Sequence, residues 1–233
     1  MSGRKPEPGG IDHLFGRPFG RRIPDGPGPV GSSGSNPSVV GLVRELQEAG
    51  REARRLTGGL TDFEFNWRPG GGRWSIAECF GHLNIVGSEM LPLFDSAVAE
   101  ARRERWYASG PFKTGLVARW QLRRFEPPVR RRMRALERHV PPSNLGVREG
   151  VATLLDLFGQ FASRLEAAGG LDLARPRVET PTGSVIQISL FESLLLFAAH
   201  ARRHLEQARE VRERADFGTG APPRPAPSTG RRR

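Results

Sequence analysis

Cysteine is nearly missing from this chain. The 233 residues contain one, Cys79, so an intrachain disulfide is excluded. Disulfides persist in oxidising compartments and are rare in reducing ones, and a single thiol therefore suits a reducing cytoplasm. The chain is long enough to bury a core without disulfides or a structural metal, since 37% of its residues are apolar. We expect a cytoplasmic globular protein.

Long apolar runs are also missing. The longest uninterrupted run covers residues 194–199, whereas a membrane-spanning helix needs about 18 apolar residues or more. The first ten residues, MSGRKPEPGG, lack the apolar stretch of a signal peptide. The sequence therefore predicts neither a membrane partner nor a secretory leader.

Lysine is almost absent, because Lys5 and Lys113 are the only two lysines among 36 basic residues. The net charge is +11, and much of the arginine excess lies in residues 119–138. Dense arginine attracts phosphate, but no groove-reading motif or interleaved aromatic residues accompany it here. We expect no specific nucleic-acid partner. Recruitment of an acidic partner by this segment and by residues 231–233 is the alternative.

Glycine and proline are scarce in the middle of the chain and dense at both ends. Segments so poor in apolar residues do not repay the entropy lost when a chain becomes ordered. We therefore expect a disordered N-terminal tail over residues 1–37 and a disordered Arg/Pro-rich C-terminal tail over residues 215–233. The segment between them, residues 38–214, is expected to fold as one domain.

Four segments carry apolar residues at helical spacing. The first begins at Asn36-Pro37, with the asparagine as cap, and the second at the capping box Ser75-Ile-Ala-Glu78. The third opens at Ser143-Asn144, and the fourth covers about residues 188–214. No segment shows the alternation of a strand. The sequence predicts an all-α protein, an antiparallel four-helix bundle with a partly helical insertion between helices 2 and 3.

The fourth predicted helix carries His200 and His204, which share one face because they are four residues apart. Their stripe continues with apolar residues, so the pair faces the interior. The second helix adds His82 on its own inward stripe. Three neutral imidazoles plus one water form the open tetrahedral site of catalytic zinc proteins. The alternative is a set of buried histidines held by backbone or carboxylate partners, since Ala201 stands where a zinc protease has its glutamate.

The segments around these histidines resemble the two signatures of the DinB/YfiT-like superfamily. The first signature is similar to Trp67-Arg68-Pro69, residues 72–78 and Gly81-His82-Leu83, and the second to Ile188-Ser189-Leu190 and residues 199–209. The resemblance covers about residues 38–214. It implies a DinB-like four-helix bundle domain in which His82, His200 and His204 hold a divalent metal. Zinc is the first choice, and nickel or another first-row metal is the alternative, because imidazole accepts several of these ions.

Similar proteins include thiol S-transferases that use bacillithiol and a mycothiol-dependent isomerase. The resemblance therefore implies a metal-dependent thiol S-transferase, with a low-molecular-weight thiol and an electrophile as its small-molecule partners. A metal with an open position suits that chemistry because it lowers the pKa of a ligand thiol. Two alternatives stay open: a metal-dependent hydrolase, and a metal-containing binding or stress-response module without turnover. No catalytic or thiol-binding residue is assigned.

We expect several residues near these motifs to have structural roles. We expect Cys79 to be a small buried filler, and Glu78 to be a helix cap or a partner of His82. Trp67 and Trp74 are predicted to close the end of the bundle by packing, not to bind substrate. Two histidines outside the predicted helices are not expected to be ligands: His13 and His139.

The fourth helix also carries three leucines away from its histidine stripe: Leu190, Leu194 and Leu205. They can pack on a neighbouring helix or on a second copy of the chain. An apolar surface beyond the interior stripe favours a homodimer, since two-fold pairing is the commonest assembly of soluble proteins. Four aromatic residues of the insertion are able to cover the same face within one chain instead: Trp106, Phe112, Trp120 and Phe125.

Overall fold

The computed structural model describes residues 36–125, 135–179 and 187–219. These residues form six α-helices: α1 (Pro37–Thr57), α2 (Asp62–Asn66), α3 (Ile76–Arg103), α4 (Leu116–Phe125), α5 (Val147–Ala167) and α6 (Leu190–Arg212). A 3-10 turn, Glu137–His139, precedes α5, and two short strands precede α6: β1 (Arg177–Glu179) and β2 (Gln187–Ser189). Most of both predicted tails (residues 1–35 and 220–233) and residues 126–134 of the arginine-rich segment lie outside the described residues.

The four long helices, α1, α3, α5 and α6, are the four that the sequence predicts, and the mainly helical character of the protein is confirmed. Helices α5 and α6 each pack against both α1 and α3. These four helices supply most of the largest fully buried side chains: Leu42, Leu46, Ile76, Phe80, Leu83, Phe94, Leu154, Phe161, Leu165 and Leu190. None of the described helices has the length and apolar character that crossing a membrane requires.

Two of the long helices begin where the sequence predicts. The Asn36 side chain accepts the backbone N–H of Ser38 at 2.9 Å, and a proline opens the first turn of α1. At the start of α3, the Ser75 hydroxyl accepts the N–H of Glu78 at 3.1 Å, while the Glu78 carboxylate accepts the N–H of Ser75 at 2.9 Å. These bonds satisfy amide groups that have no partner inside a helix.

Two other helix starts differ from the sequence-based expectation. The segment predicted as a loop after α1 contains α2, which is too short to show a helical repeat and is held by a capping box between Thr61 and Glu64. Helix α5 begins at Val147 and not at Ser143-Asn144. The reason is a partner distant in sequence: the Asp62 carboxylate of α2 accepts the Val147 N–H at 2.7 Å.

A two-stranded antiparallel ribbon was not predicted. Strand β1 pairs with β2, and Val178 lies opposite Ile188. Three residues are too few to show the alternation by which a strand is recognised, so the all-α prediction holds only in broad terms. Because β2 continues directly into α6, Ser189 becomes the cap of that helix and α6 begins at Leu190, slightly later than expected.

The insertion between α3 and α5 covers one side of α6. Helix α4 packs against α6, and the ring centroids of Phe112 and Phe191 are 5.0 Å apart. Phe125 is buried in a small cluster with Leu196 and Ala199 of α6. The insertion therefore acts as a lateral support for the helix that carries two of the three histidines of interest.

The three leucines that favoured a homodimer are covered within one chain. Leu190, Leu194 and Leu205 are each at most 3% exposed. Of the two alternatives, packing inside a single chain is therefore the one that the structure shows. A homodimer would need a different surface.

Trp67 has the packing role that the sequence predicts. Its ring centroid is 5.6 Å from that of Phe217 in an edge-to-face arrangement, and its indole N–H donates to the carbonyl of Thr219 at 2.8 Å. Residues 215–219, at the start of the predicted C-terminal tail, thus lie against the segment that joins α2 to α3. The division of the chain into two tails and a domain over 38–214 stays a prediction.

Candidate metal centre

Two neighbouring helices bring three histidines together. Helix α6 carries His200 and His204 one turn apart, and helix α3, which packs against α6, carries His82. Among the described residues these three form a group able to hold a metal ion, with one ligand atom from each within 4.8 Å of the others. The structure therefore assembles all three residues that the sequence singles out.

The Nε2 atoms are the ones that converge. Nε2 of His82 is 3.1 Å from Nε2 of His200, and Nε2 of His204 is 2.8 Å from the same atom. Two nitrogens bound to one tetrahedral ion at 2.0–2.1 Å lie about 3.3 Å apart. The observed separations are close to that value, so small side-chain adjustments suffice to place all three nitrogens around one ion.

The three imidazoles are kept neutral. His82 and His204 are 5% and 7% exposed, and His200 is only partly exposed. Burial, followed by repulsion from His82, lowers the pKa of His200 to about 3. Burial likewise lowers the pKa of His82. Burial, together with the neighbouring histidines, lowers the pKa of His204 well below its usual value. Neutral imidazole offers the free lone pair that metal binding needs.

A backbone group fixes the tautomer of His82. Its Nδ1 atom lies 2.8 Å from the carbonyl oxygen of His139. Because a carbonyl only accepts, Nδ1 must carry the hydrogen, and the lone pair of the neutral ring is then on Nε2, facing the other histidines. His139 was not expected to be a ligand, and it lies outside the three-histidine group. Its backbone carbonyl, however, is in direct contact with His82.

The side chain of His139 is held as well. It is 3% exposed, and its Nε2 atom lies 2.8 Å from a carboxylate oxygen of Glu89 on α3. Nδ1 of His204, in contrast, is buried without a hydrogen bond of ordinary geometry among the described residues, although Gln207 is close enough to raise the pKa of that ring. His82 thus has a hydrogen-bond partner at Nδ1, whereas His204 has only Gln207 nearby.

Aromatic rings flank the centre on two sides. Trp74 stacks on His204 at a centroid distance of 5.6 Å and tilts against His82 at 5.0 Å. Phe125, at the end of α4, lies 5.2 Å from the ring of His200. Trp74 was predicted to pack at the end of the bundle. It does pack, but against the histidines themselves, so it forms a wall of the candidate site.

Two residues beside His82 have structural roles. Cys79 is a free thiol with no exposed surface, and burial raises its pKa, so it is the inert filler that the sequence predicts. Glu78 caps α3 and forms an ion pair with Arg68. The cap role of Glu78 is confirmed, and the role of orienting His82 belongs to His139. His13 lies outside the described residues.

The donor set fits a divalent first-row metal. Neutral imidazole suits zinc, copper, iron and nickel, whereas magnesium and calcium prefer oxygen ligands. Three protein ligands are also the number found in catalytic zinc sites, which keep one position for water or substrate.

A family model described as the DinB superfamily matches residues 45–208, which is well over half of the chain. The matched region includes all three histidines, the whole of α3 and most of α6. No curated protein and no solved structure gives a significant match.

The neutral histidines predict a pH-dependent stability of the metal-free protein. In the unfolded state histidine takes up a proton near pH 6.5, whereas the pKa of folded His200 is about 3. The unfolded state therefore binds more protons between these values, and the free energy of unfolding must fall as the pH drops through that window. Urea unfolding in the presence of a chelator, from about pH 7 to about pH 4.5, measures this fall.

The variant His200→Gln provides the comparison. It removes one of the groups responsible, so its free energy of unfolding should decline less steeply over the same pH range. Identical slopes for the two proteins would contradict the lowered pKa of His200.

Proposed function

We propose, starting from the fact that the chain belongs to the DinB superfamily, that this protein is a metal-dependent thiol S-transferase. The observation that carries the proposal is the convergence of three neutral imidazoles, two buried and one partly exposed, on one point between α3 and α6. Such an arrangement is costly unless a cation or a shared proton joins the nitrogens. His82, His200 and His204 are the residues that would hold the ion.

Zinc is the ion we propose, with nickel or another first-row metal as the alternative. A bound zinc ion would supply Lewis acidity, which lowers the pKa of a thiol or water in the open position. The electrophile that accepts the thiol is the second substrate. No residue of the described chain is assigned to bind either of them.

Residues around the three histidines orient one of the rings and cover the others. The carbonyl of His139 orients His82, and Trp74 and Phe125 cover the histidines from two sides. Both side chains are aromatic, which supports an electrophile with an apolar body as the second substrate.

The finer points of architecture and location are proposals of the same kind. We propose that α1, α3, α5 and α6 form an antiparallel four-helix bundle, which the packing of α5 and α6 against both other helices supports. We also propose that the protein works in the cytoplasm, in line with its single buried cysteine, and without a specific nucleic-acid partner.

The first test of the function is metal content. The purified full chain is expected to carry about one divalent ion, and both His82→Ala and His204→Ala should lose most of it because two imidazoles bind more weakly than three. Elemental analysis of the protein measures the ion. His13→Ala is the matched control, since it removes a histidine of the N-terminal segment. Equal metal in all four proteins would rule out the site.

The second test is a thiol-transfer screen of the metal-loaded chain. Low-molecular-weight thiols and electrophiles are combined, and loss of free thiol is followed together with formation of the new carbon–sulfur bond. We expect turnover that stops on chelation, returns when metal is restored, and is absent in His204→Ala but retained in His13→Ala.

The same screen separates the alternatives. Chelation-sensitive consumption of the electrophile without thiol would identify a hydrolase. A loaded protein that shows no turnover with any pair would favour a binding or stress-response module. Salt-sensitive binding to an acidic partner, unchanged by chelation, would favour the arginine-rich segment as the functional part.

A homodimer is the last proposal, and it must use a surface other than the buried leucines of α6. The described residues offer one on α4, where Leu116, Val117 and Trp120 are 76%, 46% and 57% exposed. Light scattering of the full chain at micromolar concentration is expected to give the mass of two chains, and Trp120→Glu should shift it toward one. A monomer mass for the wild type would contradict the proposal.

A further inference from the structure

The loop that precedes α5, residues 135–146, passes over α3 beside His82. Helix α3 and the 3-10 turn of this loop are in contact. A Cβ atom on Gly81 would lie 2.8 Å from Cβ of Pro141, which is closer than real contacts of this kind. Gly81 therefore permits an approach of loop to helix that any larger residue would prevent, and it does so at the residue before His82.

The loop is fastened to its surroundings on both sides of Pro141. Near its end, the Asn66 amide donates to the carbonyl of Leu145 at 2.8 Å and accepts the N–H of Leu145 at 3.0 Å. Near its start, the ring of His139 meets the Glu89 carboxylate at 2.8 Å. Arg138 adds a second basic group 3.8 Å from the same carboxylate.

Glu89 is well placed to control His82. Both residues lie on α3, seven positions apart, so they share one face of the helix. Two contacts connect Glu89 to His82. The Glu89 carboxylate contacts the His139 side chain, and the His139 carbonyl contacts Nδ1 of His82. Glu89 thus contacts the residue whose carbonyl accepts the Nδ1 hydrogen of His82 and so fixes the tautomer of that ring.

We propose that Glu89 and His139 are positioning residues of the metal centre, which act together to hold His82 with its Nε2 lone pair aimed at His200 and His204. The proposal rests on the proposed metal-binding function. Neither residue is among the three that would hold the ion. Loss of such outer contacts typically weakens metal binding about 10- to 100-fold, and that is the effect expected here.

Three variants of the full chain test the proposal. Glu89→Ala removes the carboxylate, whereas Glu89→Gln keeps an oxygen that accepts a hydrogen bond from the His139 ring. Asp95→Ala is the matched control, because Asp95 is another exposed carboxylate of α3 and pairs with Arg164 of α5 at 2.9 Å, away from the loop. Since the Glu89 side chain is itself 41% exposed, its removal leaves the core intact.

Two measurements are made on each protein. Zinc affinity is obtained by competition with a chromophoric chelator, and the tautomer of His82 in the metal-free protein is read from nitrogen–proton correlation NMR of the imidazole rings. In the wild type we expect His82 to be protonated on Nδ1. In Glu89→Ala the Nε2-protonated form should appear, and zinc affinity should fall about 10- to 100-fold. Glu89→Gln and Asp95→Ala should stay within about threefold of the wild type.

Specific results would overturn the proposal. A Glu89→Ala protein with the wild-type tautomer and affinity shows that Glu89 does not position His82. An equal loss of affinity in Asp95→Ala shows a general effect of charge or stability. Because the NMR measurement needs no metal, it separates the positioning role from the proposed metal-binding function. Suppose that the wild type binds no zinc, that its His82 is protonated on Nδ1, and that this tautomer is lost in Glu89→Ala. Such a result would contradict the proposed function and would still support the positioning role.

Discussion

Three imidazole nitrogens face one another in the space between α3 and α6, and the packing of both helices must keep them there. Lone pairs that meet at 2.8–3.1 Å repel unless a proton or cation lies between them. The helices are held close in spite of this. At Gly87, a Cβ atom would meet Cζ of Phe197 at 3.0 Å and would collide with Leu157. A glycine at this position therefore allows α3 to approach both α6 and α5 closely. Apolar packing thus enforces an arrangement that the polar groups alone would not adopt.

The same type of cap fixes the first residue of α3 and of α6. The position of the histidines along each helix follows from these starting points. Both helices open with a buried Ser-x-x-Glu capping box, Ser75 with Glu78 and Ser189 with Glu192. Each glutamate also holds a neighbouring segment. Glu192 accepts the N–H of Gly115 at 2.7 Å. Burial raises the pKa of Glu192, but the hydrogen bonds from Gly115 and Ser189 together with the charge of Arg177 lower it more, so the carboxylate stays charged and the insertion stays attached to the cap.

Part of the arginine excess serves the fold. On the outer side of α6, Arg202 pairs with Glu45 and Arg209 with Glu52, and both glutamates belong to α1. Such exposed pairs contribute little individually, up to about 1 kcal/mol, but here they join the two helices along a shared edge. Arg124 lies over the ring of Trp120, 4.8 Å from its centroid. Arginines used in this way contribute to the contacts between elements, so the net charge alone does not predict a phosphate-binding surface.

How far the sequence predicts this site depends on what kind of contact is involved. His200 and His204 are four residues apart on an amphipathic helix, and His82 lies on the apolar stripe of another, so side-chain periodicity finds all three. The role of His139 could not be found in that way, because it contacts His82 through a backbone carbonyl, which every residue possesses, across 57 positions of the chain. The start of α5 escaped prediction because its first N–H is bound by a side chain distant in sequence, that of Asp62 of α2. A glycine inside a helix, such as Gly81, is compatible with a close approach but does not show what approaches. Periodicity therefore predicts the ligands of a helical metal centre, whereas the contacts that orient those ligands require the path of the loops.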